Sequence, residues 1–183
     1  MLEEDPGWSI SWRSAGAVVV PGMLAREARR AGDGVDHLVL LRQLFLSFVF
    51  ALVAFGLVLV FVYSGPVAQP VAVMPLVVVL TGVSCLVAQR LFSKPLDLTS
   101  SASLAAGYRT RFFLRMAFGE TPALVGFVGF FIYDWWLYPL GLAFTAVGFA
   151  YAAPSGRNLA ADQERINAQG SGLRIVPALR GTA

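Results

Sequence analysis

Residues 43–63 are QLFLSFVFALVAFGLVLVFVY, an apolar run without a charged side chain. An α-helix rises about 1.5 Å per residue, so about 20 such residues cross the roughly 30 Å of hydrocarbon in a bilayer. This run is therefore typical of a membrane-spanning helix. Three further segments have a similar character, the last being shorter and rich in glycine and aromatic residues: about 71–92, 112–133 and 135–153.

The composition of the whole chain also indicates a protein that lies in lipid. The chain has 183 residues, of which 57% are hydrophobic and 14% charged, and its mean hydropathy is +0.68. Soluble domains carry about 25% charged residues, and a chain of 19.7 kDa is too small to bury so much apolar surface in a soluble core. We therefore expect an all-α, polytopic membrane protein whose four transmembrane helices form a bundle.

The apolar segments divide the chain into three parts. We expect a cytoplasmic leader at 1–41, a transmembrane domain at 42–153 and a cytoplasmic tail at 154–183. Within the leader, MLAREARRAG predicts a short basic helix whose arginines face anionic lipid headgroups. The alternative is the ordinary positive flank of a first span. In the tail, ADQERINAQ predicts a helical turn or two, and GLRIVPALRG either pairs with the leader's SISWR or lies on the membrane surface.

The basic residues predict the orientation of the four spans. Lys and Arg are concentrated in cytoplasmic loops of membrane proteins, and with four spans all 14 basic residues fall on one side. The connections on the other side, SGPVAQP and the surroundings of DWWLYP, contain none. We expect both termini in the cytoplasm, no cleavable signal peptide, and a multi-pass protein of the bacterial plasma membrane.

Small side chains on each span predict where the helices pack against one another. Little hydrophobic force acts between helices in lipid, so residues that allow close approach favour association. The expected packing positions are Ser47, Ala51, Thr81, Cys85, Gly119, Ala123, Gly126, Gly141, Thr145 and Gly148.

Glu120 is an acid inside the third apolar run, RFFLRMAFGETPALVGFVGFF at 111–131. An ionisable group at this depth is unfavourable unless it is neutralised or paired. Glu120 lies five residues beyond Arg115, which places it roughly 7 Å deeper along the helix axis. We expect a polar cluster at the cytoplasmic end of the spans, formed by Glu120, Arg42, Gln89, Arg90 and Arg115. Three roles stay open for it: a structural clasp, a proton or cation carrier, and a contact with a partner.

A local resemblance bears on the second of these roles. Residues 119–131, GETPALVGFVGFF, resemble the second helix of the ring-forming proteolipid (c-type) subunit of rotary ATP synthases. In that family an acid is followed six positions later by a glycine and then by apolar residues, as Glu120 is followed by Gly126 and Val128. The resemblance implies an ion-carrying role for Glu120.

The residue inventory argues against catalysis. The chain has one histidine, His37, and one cysteine, Cys85, so a zinc site of His and Cys ligands is excluded, and we expect no cofactor, metal or nucleic-acid partner. The favoured function is a non-catalytic accessory, assembly or scaffold subunit that binds other membrane subunits or a second copy of itself. The alternative is a small oligomeric channel or transporter that uses Glu120.

Overall fold

The fold was determined as a computed structural model that describes residues 8, 36–65, 70–91 and 95–182. Helices are the only regular secondary structure among these residues, and no strand occurs among them. In chain order the helices are α1 (His37–Val62), α2 (Met74–Leu91), α3 (Ser101–Ile132), α4 (Leu137–Ala152), α5 (Gly156–Ala168) and α6 (Ile175–Arg180). The basic helix predicted in the leader falls outside the described residues.

Three of these helices, α1, α2 and α3, are long and apolar enough to cross a membrane. α4 has 16 residues, which corresponds to about 24 Å of helix. It meets the same test only together with α5, with which it forms a bent pair. An all-α protein with three to four candidate spans is therefore confirmed, and α4 is the short member of the set.

α3 begins at Ser101, well before the apolar run at 112–133. Ser100 caps its first turn, because the Ser103 backbone N–H donates to Ser100 Oγ at 3.1 Å. Such caps satisfy backbone donors that have no partner within the helix. The segment therefore joins the third span in one continuous helix of 32 residues.

The chain separates into two compact units. One, called here the span unit, comprises Phe48–Ser93 and Phe113–Ala152. The other, called the terminal unit, comprises Met1–Ser47, Lys94–Phe112 and Ala153–Ala183. Both α1 and α3 contribute residues to each unit.

The span unit packs through glycines that let helices approach closely. A side chain at Gly148 would collide with the Gly119 Cα of α3, at 2.9 Å from its Cβ position, and a side chain at Gly82 would collide with the ring of Phe144. Gly141 lies against the carbonyl of Pro122. Next to these contacts, Met74, Val78 and Leu137 form a buried apolar cluster. The predicted packing positions Gly119, Ala123, Gly126, Gly141, Thr145 and Gly148 are all buried in this unit, as is Cys85, whereas Ala51 and Thr81 are half-buried.

The terminal unit has an apolar interior of its own. α5 is capped by Ser155, whose hydroxyl accepts from the Asn158 N–H, and it buries Leu159 and Ile166. Residues 175–180, for which the sequence left a strand or a surface segment open, form the short helix α6, which buries Ile175, Val176, Ala178 and Leu179. Pro177 is tolerated because the first turn of a helix has backbone N–H groups without helical partners. Gly181 ends the helix with a left-handed backbone, φ 68°.

Candidate functional site

A buried ion pair joins α3 to α5 within the terminal unit. Arg111 Nη2 lies 3.1 Å from Asp162 Oδ1, and the two side chains are only 8% and 3% exposed. The same carboxylate oxygen accepts from Arg165 Nη1 at 3.0 Å, although the Arg165 side chain is 65% exposed. One buried acid thus holds one buried and one exposed cation.

The energetics of this pair make it sensitive to the loss of either member. Two charges removed from water repay their desolvation only when they are paired in good geometry. Within the described residues, Arg111 Nε has no hydrogen-bond partner, so the guanidinium depends on Asp162 for its stabilisation. The ion pair therefore holds α5 in place against α3.

Arg42 is the second buried cation of this unit and is fully buried. Its Nε donates to the Pro154 carbonyl at 3.1 Å, and its Cζ lies 5.3 Å from the centroid of the Trp8 ring. The Trp8 ring also packs edge-on against Phe45, with centroids 5.8 Å apart. Arg42 therefore links α1 to Pro154, in the connection between α4 and α5, and to Trp8.

Asp36 connects the start of α1 to α6. Its Oδ1 caps α1 by accepting from the N–H groups of Leu38 and Val39 at 3.0 and 3.1 Å, while Oδ2 accepts from Arg180 Nε at 3.1 Å. The adjacent His37 buries Nδ1 without a hydrogen-bond partner among the described residues.

Gln163 fastens α6 to α5. Its side-chain amide donates to the Leu173 carbonyl at 2.9 Å and accepts from the Ile175 N–H at 2.8 Å. The terminal unit is thus held by polar links between segments far apart in sequence.

The polar cluster predicted around Glu120 is distributed between both units. In the span unit, Gln89 Nε2 donates to the Arg115 backbone carbonyl at 2.7 Å, and the same amide lies against Gly119 and Gly148. Arg90 Nη2 donates to the Tyr151 hydroxyl. Arg42 belongs to the terminal unit, where it has the contacts given above.

Glu120 itself is half-buried in α3. Among the described residues no hydrogen bond or ion pair reaches its carboxylate, whereas the adjacent Thr121 hydroxyl donates to the Ala117 carbonyl at 2.8 Å. Pro122, two residues after Glu120, lacks the N–H of other helix residues. Beside it, the Ala123 N–H donates to the buried Thr145 hydroxyl of α4 at 3.1 Å. The polar groups around Glu120 are therefore engaged with backbone atoms.

The sequence interpretation did not select Arg111 and Asp162, although the sequence contains a signal for one of them. Asp162 is three residues after Leu159 and four before Ile166, which places it on the apolar face of α5. An acid on the buried face of an otherwise amphipathic helix predicts a buried cationic partner. Its identity depends on how α5 docks, which no local pattern reveals.

No group of three or more His, Cys, Asp or Glu side chains suitable for a metal ion occurs within residues 8, 36–65, 70–91 and 95–182. Comparison with protein-family models, with curated proteins and with solved structures finds no match. The roles of the residues in both units therefore rest on their geometry and chemistry.

Replacing Asp162 with Asn is expected to open the terminal unit, because Arg111 would keep its burial and lose its counter-charge. Breaking a buried pair costs about 3–5 kcal/mol, so cleavage by trypsin after Arg165 and Arg174 in the detergent-solubilised protein should accelerate at least about tenfold.

The matched control is Glu164→Gln, which makes the same charge change at an exposed neighbour on α5 and should leave the cleavage rate unaltered. Replacing both partners, Arg111→Met with Asp162→Leu, should restore most of the resistance because no charge stays buried. If trypsin cleaved the Asp162→Asn protein at the wild-type rate, this role of the ion pair would be contradicted.

Proposed function

We propose that the chain is a non-catalytic, multi-pass protein of the bacterial plasma membrane that serves as an accessory, assembly or scaffold subunit of a membrane complex. In this proposal α1 to α4 form a four-helix transmembrane bundle, and both termini lie in the cytoplasm. The observation that carries it is the large apolar surface that α1 leaves uncovered.

α1 is the least covered of the three long apolar helices. Only 17% of its most apolar 18-residue window is buried, against 33% for α3. Its large exposed side chains include Val53, Leu57, Val60 and Phe61. Contiguous apolar surface of this kind requires lipid or another protein as its cover, and both are present for a subunit of a membrane complex.

The distribution of charge and aromatic side chains supports the proposed orientation. Neither of the two short connections, 63–73 and 133–136, contains Lys or Arg, and Tyr63, Trp135 and Trp136 are found there. Tyrosine and tryptophan concentrate at membrane interfaces. The Arg-containing segments before α1, between α2 and α3 and after α4 would face the cytoplasm. α4, at about 24 Å, would span by local thinning of the bilayer.

The terminal unit supports a structural role for the cytoplasmic side. Its buried charged groups, Arg42, Arg111 and Asp162, are engaged with one another or with backbone and ring acceptors. They hold chain segments together, which is the chemistry expected of a scaffold.

A photo-crosslinking amino acid placed at Phe61 tests the accessory role directly. Phe61 is 81% exposed, whereas Leu59 on the same helix is 2% exposed and provides the matched control. In cells, the probe at 61 should give one or a few discrete protein adducts, and the probe at 59 should give none from outside the chain. The complex purified in mild detergent should contain the same partner, or a second copy, at fixed stoichiometry. A monomer that yields no protein adduct from position 61 would refute the proposal.

Glu120 supports a second candidate function, a small oligomeric channel or transporter for protons or cations. The supporting observation is that its half-buried carboxylate, within an apolar helix, accepts no hydrogen bond from the described part of the chain. Intramembrane acids without structural partners commonly handle ions. The local resemblance to the ATP synthase proteolipid implies the same role.

Ion flux into liposomes distinguishes the two candidates. For a carrier, the wild-type protein should conduct, Glu120→Gln should abolish the flux while the protein stays folded, and Glu164→Gln should leave it intact, because only Glu120 lies in an apolar helix. Flux that survives Glu120→Gln would exclude this acid as the carrier. An accessory subunit should show no flux with or without the substitution.

A further inference from the structure

α2 and α4 run side by side in the same direction through the span unit. Three contacts advance together along the two helices: Gly82 with Phe144, Gln89 with Gly148, and Arg90 with Tyr151. Because the paired residue numbers rise together, the helices are parallel, and their last turns lie at the same end. An exposed seam therefore follows both helices to Arg90 and Tyr151.

Tyr151 orients the Arg90 guanidinium at the end of this seam. Arg90 Nη2 donates to the Tyr151 hydroxyl at 2.8 Å, and Arg90 Cζ lies 5.2 Å from the centroid of the tyrosine ring. Both residues are exposed. A guanidinium carries five N–H donors, so its bond to the phenol leaves others available for an anion from outside the chain.

The seam below this cation is apolar and uncovered. On α2, the exposed Val83 and Val87 lie one turn apart, and Arg90 follows in the next turn. On α4, the exposed Val147 lies one turn before Tyr151. An apolar strip that ends in an oriented cation matches the shape and chemistry of a phospholipid, in which a hydrocarbon chain ends at a phosphate.

We propose that Arg90 and Tyr151 bind the phosphate of an anionic phospholipid whose acyl chain lies along Val83, Val87 and Val147. This inference rests on the proposed membrane location, and its orientation places the pair at the cytoplasmic leaflet. Basic pockets between helices on that side favour anionic headgroups, and arginine binds phosphate through several parallel hydrogen bonds. A headgroup without its own cation leaves the phosphate charge fully available to Arg90.

Arg90 differs in this respect from three other arginines that the structure describes. Arg42 and Arg111 are buried and engaged inside the terminal unit. Arg157 is exposed on α5 in the terminal unit, and within the described residues no hydrogen bond to a tyrosine orients it. Orientation of the Arg90 side chain before binding reduces the ordering that the lipid must impose, so the structure favours Arg90 as the selective site.

Native mass spectrometry of the purified protein in mild detergent tests the site. Phosphatidylglycerol, phosphatidylcholine with the same acyl chains, and soluble glycerol phosphate are the probes. The wild-type protein should retain phosphatidylglycerol in preference to phosphatidylcholine, and an excess of glycerol phosphate should not displace it. Arg90→Gln should lower the retention about fivefold, as expected for one arginine near an anionic surface. Tyr151→Phe, which keeps the ring and removes the hydroxyl, should lower it by a smaller factor.

Arg157→Gln is the matched control, since it removes one exposed arginine from a different helix. Equal losses in Arg90→Gln and Arg157→Gln would overturn the site in favour of diffuse charge attraction. Equal retention of the two lipids would overturn the preference for an anionic headgroup, and displacement by glycerol phosphate would show a site for soluble anions. Each of these results leaves the membrane location standing, whereas absence of the chain from the membrane fraction overturns both proposals.

Discussion

Hydrocarbon offers no water to the peptide backbone, so each N–H and C=O group of a spanning segment needs a partner within the protein. In the span unit, side chains supply two such partners near Pro122 of α3, where the helical pattern is interrupted. At Pro122 of α3, the adjacent Ala123 N–H donates to Thr145 of α4, and the Gln89 amide donates to the Arg115 carbonyl. These side chains reach the backbone because Gly119, Gly141 and Gly148 bring the helices close together. Close approach at the glycines thus allows Gln89 and Thr145 to supply these backbone partners.

The terminal unit is stabilised by a different balance of forces. It buries charged side chains, and each buried charge depends on a partner far away in sequence, as Arg111 depends on Asp162 and Arg42 on the Pro154 carbonyl. Such pairs contribute little net stability compared with apolar residues of the same size, but the loss of one partner is strongly unfavourable. The polar links therefore specify how the ends of the chain dock more than they strengthen the fold. This division is consistent with the proposed role as a subunit whose apolar helices face lipid or partners.

The sequence predicted the helical class and the apolar segments because the hydropathy of a spanning helix is a local property, as the run at 43–63 illustrates. The cap at Ser100 and a helix after it follow from the local sequence, but hydropathy gave no sign that this helix continues without a break into the third span. Counting residues placed Glu120, Gln89 and Arg90 at a similar depth but gave no information on rotation about each helix axis. The bond between Arg90 and Tyr151 was therefore not predicted, because it depends on the parallel packing of α2 and α4. For the same reason Asp162 could have been suspected from its position on the apolar face of α5, but its partner Arg111 could not.

The proposed topology has four membrane crossings and both ends in the cytoplasm. Labelling of single cysteines with a membrane-impermeant maleimide on intact spheroplasts tests it most directly, in a Cys85→Ser background that removes the one native thiol. The two positions are Ser64, exposed after α1, and Gly172, exposed between α5 and α6, where a side chain meets no atom within 4 Å. With this topology, Ser64→Cys should be labelled on intact spheroplasts and Gly172→Cys only after permeabilisation. Labelling of Gly172→Cys from outside would contradict it.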